Sequence, residues 1–227
     1  MSTHPKPPRG SCKRCARPLS HCLCEHVCAV SNGTRVLILQ HPDEARHPLN
    51  TARLALLGLK HAELWVGESF PQLDARLREA DRALLLFPDT KEAPVAGTRS
   101  PDPRKPSCPD LQQPRSPDPL QPDSAPRHVL LIVPDGTWRK AGRIVNANPA
   151  LQSLPRLSLQ TNQASRYIVR KASKPDALST IEAIACALEL LEPGQDFQAL
   201  LAPFHTLVQQ QIQAMGPEVF TRNYAGN

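Results

Sequence analysis

Residues 128–140 read HVLLIVPDGTWRK, and the reading of this stretch decides the fold. HVLLIV is a short apolar run closed by Pro134 and Gly136, so it reads as a strand buried on both faces. From 137 to 147 the periodicity turns helical. The join carries Asp135 and one of only two tryptophans in the chain, Trp138. Asp135 follows the strand, where its carboxylate can cap free N–H groups of the helix, a role that stabilises by about 1 kcal/mol. Capping does not account for the tryptophan. Its large ring on the first helical turn either packs into the core or walls a pocket and stacks on a flat ligand.

Outward from this unit the same rhythm repeats. Strands are predicted at 35–40 (RVLILQ), 62–66 (AELWV), 83–87 (ALLLF), 128–133, 156–159 (RLSL) and 166–170 (RYIVR), with helices at about 49–58, 72–80, 137–147, 179–192 and 197–215. Nearly all-apolar strands alternating with helices imply an α/β fold, a mostly parallel sheet covered by helices on both faces. The proline-rich stretch at about 89–127 breaks the rhythm. Proline at that density runs through neither a sheet nor a helix interior, and the segment has little to bury. It reads as a surface insertion between two strands, which a core tolerates because loop-closure entropy grows slowly with length.

At 227 residues the chain suits one sizeable domain, here 34–227, plus a small N-terminal satellite at 1–33. The net charge of +6 suits a polyanionic partner such as nucleic acid, although charge alone speaks only to nonspecific association. No stretch approaches a membrane span and the N-terminus lacks the apolar core of a signal peptide, so a soluble cytoplasmic protein is expected. Nothing in the pattern calls for an obligate protein partner.

In a reducing compartment clustered cysteines bind metal or do chemistry more often than they form disulfides. Four of the seven lie in CKRCARPLSHCLC, at Cys12, Cys15, Cys22 and Cys24. Four thiolates on a short loop match the tetrahedral demand of a structural zinc ion, and metal binding would supply folding energy that so few apolar residues cannot. His21, His26 and Cys28 stand close enough in sequence to substitute for the fourth ligand. A closed four-sulfur site has no open position for a substrate. Cys108 and Cys186 read as bystanders.

In an open parallel sheet, ligands bind beyond the carboxyl ends of the strands. His41, Glu44, Asn50 and Thr51 follow the first strand, Pro88 the third, and the Asp135 turn the fourth. Ser179 and Glu182 form a capping box ahead of an amphipathic helix. Thr180 and the free N–H groups of that first turn would also receive a small carboxylate. Arg166, Arg170 and Lys171 around Tyr167, with Arg139, Lys140 and Arg143, form either a phosphate clamp or a solvated basic face. The chain has neither the Gly-x-Gly-x-x-Gly nor the phosphate-loop signature of the common nucleotide sites, nor the zinc-deaminase pattern.

Asp135-Gly136-Thr137-Trp138 resembles the D-x-T-W signature of the DTW-domain proteins. The cysteine knuckle, HPDEARHPLNTARL, LPRLSL and YIVRKASKPDALSTIEA follow the same family pattern in order from Cys12 to about Leu191, broken only by the insertion. The resemblance implies a tRNA-uridine aminocarboxypropyltransferase, which moves the 3-amino-3-carboxypropyl group of S-adenosylmethionine to N3 of a uridine. In bacterial relatives that uridine lies in the tRNA variable loop. It also implies a core related to the SPOUT methyltransferases, with a trefoil knot that is a rare exception to the unknotted norm.

On the same resemblance Asp135, Thr137 and Trp138 carry the reaction. Asp135 acts there as general base or as orienting group. Phe87, Pro88, Val133, Pro134 and Gly136 would line the cofactor site from the sheet side, and Leu178, Ser179, Thr180 and Glu182 from the later helix. His41, Glu44, Asn50 and Thr51 would line the opposite wall, and the basic residues and zinc knuckle would hold the tRNA. The rival readings are a methyltransferase on the same cofactor and a nonenzymatic zinc-dependent RNA-binding protein.

Overall fold

Alternation of side chains along extended strands sorts the apolar residues of this chain into two layers. In the computed structural model, which describes residues 10–47, 49–88, 128–159 and 178–216, five parallel strands carry that alternation. They are β1 (Arg35–Gln40), β2 (Ala62–Val66), β3 (Arg82–Leu86), β4 (Val129–Asp135) and β5 (Arg156–Leu157), in the spatial order β2-β1-β4-β3-β5. Val36 and Ile38 of β1 with Leu131 and Val133 of β4 face one layer. Leu37 and Leu39 with Leu130 and Ile132 face the other. Each buried aliphatic side chain contributes about 1.5–3 kcal/mol, so the central strands are held from both sides.

Seven helices cover these faces among the described residues: α1 (Pro42–Ala45), α2 (Ala52–Gly58), α3 (Leu73–Arg78), α4 (Trp138–Ala147), α5 (Pro149–Gln152), α6 (Thr180–Leu191) and α7 (Ala202–Met215). Leu54 of α2, Ile181, Ile184 and Leu188 of α6 and Phe204 of α7 fill the first layer. Leu73 of α3, Ile144 and Val145 of α4 and Leu151 of α5 fill the second. The fold is α/β, with the parallel sheet and two-sided helical cover that the apolar runs predict. None of the helices is long and apolar enough to cross a membrane.

The differences from expectation have local causes. The helix expected at 49–58 begins at Ala52, after a separate short helix that His41 caps and Pro42 opens. Proline also opens α5, and its fixed φ suits a first helical turn. The helix expected at 197–215 divides into a 3-10 turn, Gln198–Leu201, and α7, with Pro203 in the first turn of α7. The strand expected at 156–159 keeps only two residues. In the other direction, β4 runs two residues beyond its expected end, through Pro134 to Asp135. Pro134 is tolerated because β3 stops pairing with β4 at Ile132, while the Asp135 carbonyl, one pleat further on, accepts from His41 N–H of the β1 side at 3.0 Å. The expected strand at 166–170 and the insertion at about 89–127 lie outside the described residues.

The N-terminal segment sits on the first layer. Leu23, between two of the clustered cysteines, is fully buried among the residues of that layer. Further along, Val30 N–H donates to Gly58 O at 2.7 Å and Lys60 N–H to Val30 O at 3.1 Å. Gly58 eases this approach: a Cβ there would stand 3.3 Å from the Cys28 carbonyl oxygen of that segment and 2.7 Å from Leu200 Cδ1.

Candidate active site

Strand register and pleat bring the first site residues together. β1 and β4 pair in parallel with Gln40 opposite Asp135, and both side chains continue the series that faces the first layer, after Ile38 and Val133. At the end of the strands that layer runs out, so the side chains are polar yet enclosed: Gln40 is 2% exposed and Asp135 8%. Gln40 Nε2 donates to Asp135 Oδ2 at 2.7 Å and lies 3.2 Å from Asn50 Oδ1. Thr180, the first residue of α6, donates its hydroxyl to Asp135 Oδ1. The carboxylate therefore faces the N-terminus of a twelve-residue helix, where the helix dipole favours an anion.

Asp135 is not the cap of α4. That position belongs to Thr137, whose Oγ1 accepts from Lys140 N–H at 3.4 Å. Because Asp135 still belongs to the strand, pleat parity turns it to the α6 side. Gly136 makes the turn between them with φ of 156°, and a Cβ there would stand 2.9 Å from Lys140 Cβ, so the turn requires glycine.

Trp138 does not pack into the core. It is 47% exposed and meets the Phe87 ring edge-on at 6.1 Å between centroids. On Phe87 lies the Arg156 guanidinium, 5.5 Å from the ring centroid, which also donates to Pro88 O at 2.7 Å. The carboxyl ends of β3 and β4 and the first residue of β5 thus share an aromatic wall stiffened by a cation–π contact.

The side chains of α6's first turn are mostly occupied. Ser179 Oγ accepts from Glu182 N–H, and Glu182 Oε2 accepts from Ser179 N–H at 2.8 Å, completing the capping box. Both residues are buried, and Val133 is a core residue. Leu178 and Pro134 are half-buried beside them and Pro88 is exposed.

On the other side of β4 stands a charged cluster. His41 caps α1, its Nδ1 accepting from Asp43 N–H at 3.3 Å, while Nε2 lies 2.5 Å from Glu68 Oε1. Arg143 Nη1 pairs with the same Glu68 oxygen at 3.2 Å. Lys140 Nζ pairs with Glu44 Oε1 at 3.0 Å and Asp43 Oδ2 at 3.3 Å, and the hydrogen bond it donates to Glu44 holds its ammonium above the ordinary lysine range. Neither basic side chain is thus an unengaged phosphate clamp. Arg139 is exposed. Arg166, Tyr167, Arg170 and Lys171 lie outside the described residues, as does Cys108.

Asn50 Oδ1 also accepts from Arg53 N–H at 3.1 Å, its Nδ2 donates to Glu44 O at 3.1 Å, and Thr51 is buried at the start of α2. Three residues here escape sequence reasoning: Gln40, Glu68 and Asn148. Asn148 donates to Glu68 O at 2.8 Å and to Ile144 O at 2.7 Å, and accepts from Phe70 N–H at 2.8 Å, tying the loop that carries Glu68 to α4. The available signal was a polar residue closing an apolar strand, for Gln40, and an asparagine before a proline, for Asn148.

The four sulfurs of Cys12, Cys15, Cys22 and Cys24 lie within 4.8 Å of one another, with Cys12 and Cys24 at 3.6 Å and Cys15 and Cys22 at 3.8 Å. The backbone N–H groups of Cys15 and Arg14 bring the Cys12 thiol down to about 6. Burial, reinforced by the neighbouring thiols, pushes Cys24 up to about 12. Four thiol sulfurs gathered this closely fit a cation at the centre, which would favour all four as anions. Cys28 Sγ instead meets His26 O at 3.9 Å and His21 Nδ1 meets Ser20 Oγ at 2.9 Å, and the group that could hold a metal ion is the four cysteines.

A family model described as the DTW domain matches residues 9–212. A Drosophila melanogaster protein named tRNA-uridine aminocarboxypropyltransferase 2 is 30% identical over 224 residues, covering 93% of this chain and 79% of that protein. A Macaca fascicularis protein of the same name is 28% identical over 94% of this chain and 67% of its own length. Arabidopsis thaliana tRNA-uridine aminocarboxypropyltransferase A is 26% identical over 92% of this chain and 83% of its own length. No solved structure matches.

Proposed function

The chain belongs to the DTW-domain family, and from that premise we propose that it is a tRNA-uridine aminocarboxypropyltransferase. The observation that carries the proposal is the buried carboxylate of Asp135 at the carboxyl edge of the sheet, held by Gln40 and Thr180 and followed after two residues by the exposed Trp138. A fixed acceptor beside a flat aromatic surface is what a planar base with an N–H to lose requires.

S-adenosylmethionine, when bound, supplies a carbon activated by the sulfonium. The bond from N3 to that carbon forms as the carbon–sulfur bond breaks, the electron pair stays on sulfur, and the N3 proton passes to Asp135 and on to solvent. The products are modified tRNA and methylthioadenosine. Because three carbons on that sulfur are electrophilic, orientation selects the group transferred. Trp138 and Phe87 form the wall that sets it, with Thr137, Gly136, Pro134, Leu178 and Pro88 around them. The first turn of α6 receives the donor's carboxylate through backbone N–H groups, since the side chains of Ser179 and Glu182 are committed to the cap.

The four cysteines hold a structural zinc ion in a knuckle over residues 1–33, ahead of a catalytic domain at 34–227. The knuckle, Arg139 and the basic residues at 166–171 hold the tRNA, while Lys140 and Arg143, already paired, shape the wall of His41, Glu44, Asn50 and Thr51. The parallel sheet with its reactive edge is consistent with a SPOUT-like core, and the trefoil knot is part of this reading. A tRNA substrate puts the protein in the cytoplasm.

Nucleoside analysis of tRNA incubated with protein and S-adenosylmethionine tests the proposal. A uridine carrying the aminocarboxypropyl group on N3 is expected. Methyluridine would turn the reading to a methyltransferase, and unmodified tRNA that nonetheless binds zinc-loaded protein would turn it to an RNA-binding module.

A further inference from the structure

We infer that Gln40 is a positioning residue for the reaction, fixing the orientation of the Asp135 carboxylate through its Oδ2. The inference deepens the proposed function and rests on Asp135 being the reacting carboxylate. Gln40 closes β1 at 2% exposure, opposite Asp135 in the register. Its Nε2 stands between two acceptors, Asp135 Oδ2 at 2.7 Å and Asn50 Oδ1 at 3.2 Å. Only the nitrogen of the amide can serve both, so the side chain cannot flip without losing two bonds.

Asn50 is itself immobilised by main-chain groups, accepting from Arg53 N–H and donating to Glu44 O. Gln40 therefore transmits the position of the α1 and α2 backbone to one oxygen of Asp135. The other oxygen meets the hydroxyl of Thr180, which is half-buried and can rotate as substrate arrives. Of these two donors, one is rigid and the other adjustable.

Glutamate has nearly the same shape as glutamine but brings an acceptor where a donor stood. At this distance a second carboxylate would share a proton with Asp135. Among the described residues, the other charged groups around the strand ends are His41, Asp43 and Glu44 beyond β1, Glu68 beyond β2, Lys140 and Arg143 on α4 and Glu182 on α6. All remain in the variant, so a change in proton affinity comes from position 40.

The test measures kcat and KM for S-adenosylmethionine at saturating tRNA across the pH range, with Tm, for the wild type, Gln40→Glu, Gln40→Leu and Asp135→Asn. Gln40→Glu is expected to move the acid limb of kcat upward by about one unit or more. Gln40→Leu, which keeps the volume and removes the donor, is expected to lower kcat about tenfold or more with KM little changed. Should Gln40→Glu fail to fold, the kcat-against-KM split of Gln40→Leu decides. Wild-type kcat and an unmoved acid limb in the Gln40 variants, with Asp135→Asn inactive, would overturn this inference alone. A fully active Asp135→Asn would overturn the reading of Asp135 beneath it, and this inference too.

Discussion

The cysteine knuckle and the sheet-edge site are both clusters of polar side chains, and they are assembled by opposite means. The knuckle gathers its four sulfurs from thirteen consecutive positions, Cys12 to Cys24, and anchors itself in the core by Leu23. The site gathers Gln40 and Asn50, Asp135, and Thr180 from three distant segments and encloses them at the end of a packed sheet. On the proposed reading the first is held by a cation and the second by the fold alone. Each can therefore be broken while the other stands.

Metal removal has the largest expected effect. Chelation should release one zinc per chain and unfold the knuckle, with the binding free energy on the order of 10 kcal/mol, while circular dichroism still reports the α/β core. Protons compete with zinc for thiolates, so release should rise as pH falls. Zinc-free protein that keeps a folded knuckle by hydrogen exchange would remove that half of the contrast.

Asp135→Asn should break the other half, lowering transfer by about 100-fold or more with zinc content and Tm nearly unchanged. Gly136→Ala should cost about 1–3 kcal/mol in chemical denaturation, because the new Cβ meets Lys140 Cβ at 2.9 Å in a conformation that side chains rarely adopt. Thr137→Ala removes the cap of α4 and should cost about 1 kcal/mol. If Thr137→Ala were silent and Asp135→Ala lost cap-sized stability alone, the assignment of the cap would be reversed.

The same contrast explains what was legible in the sequence. Spacing alone is enough for a local cluster, so the four cysteines could be read directly. The apolar runs and the Ser179 capping box were equally local signals and predicted strands, helices and the start of α6. Asp135 was legible as a residue but not as a geometry: a cap and a strand end look alike in one dimension, and only pleat parity sends the carboxylate to α6. Gln40 was invisible because its partners come from the β1–β4 register, which no periodicity contains. Lys140 and Arg143 read as a basic face because Asp43, Glu44 and Glu68, far away in sequence, face them only once β1, β2 and β4 are aligned.

The most direct test of the central claim follows the fate of two labels on S-adenosylmethionine, one in the methyl group and one in the carboxyl carbon, during incubation with bulk tRNA. The account predicts carboxyl label in the tRNA without methyl label, and loss of that transfer in Asp135→Asn. Methyl label in the tRNA without carboxyl label would contradict it.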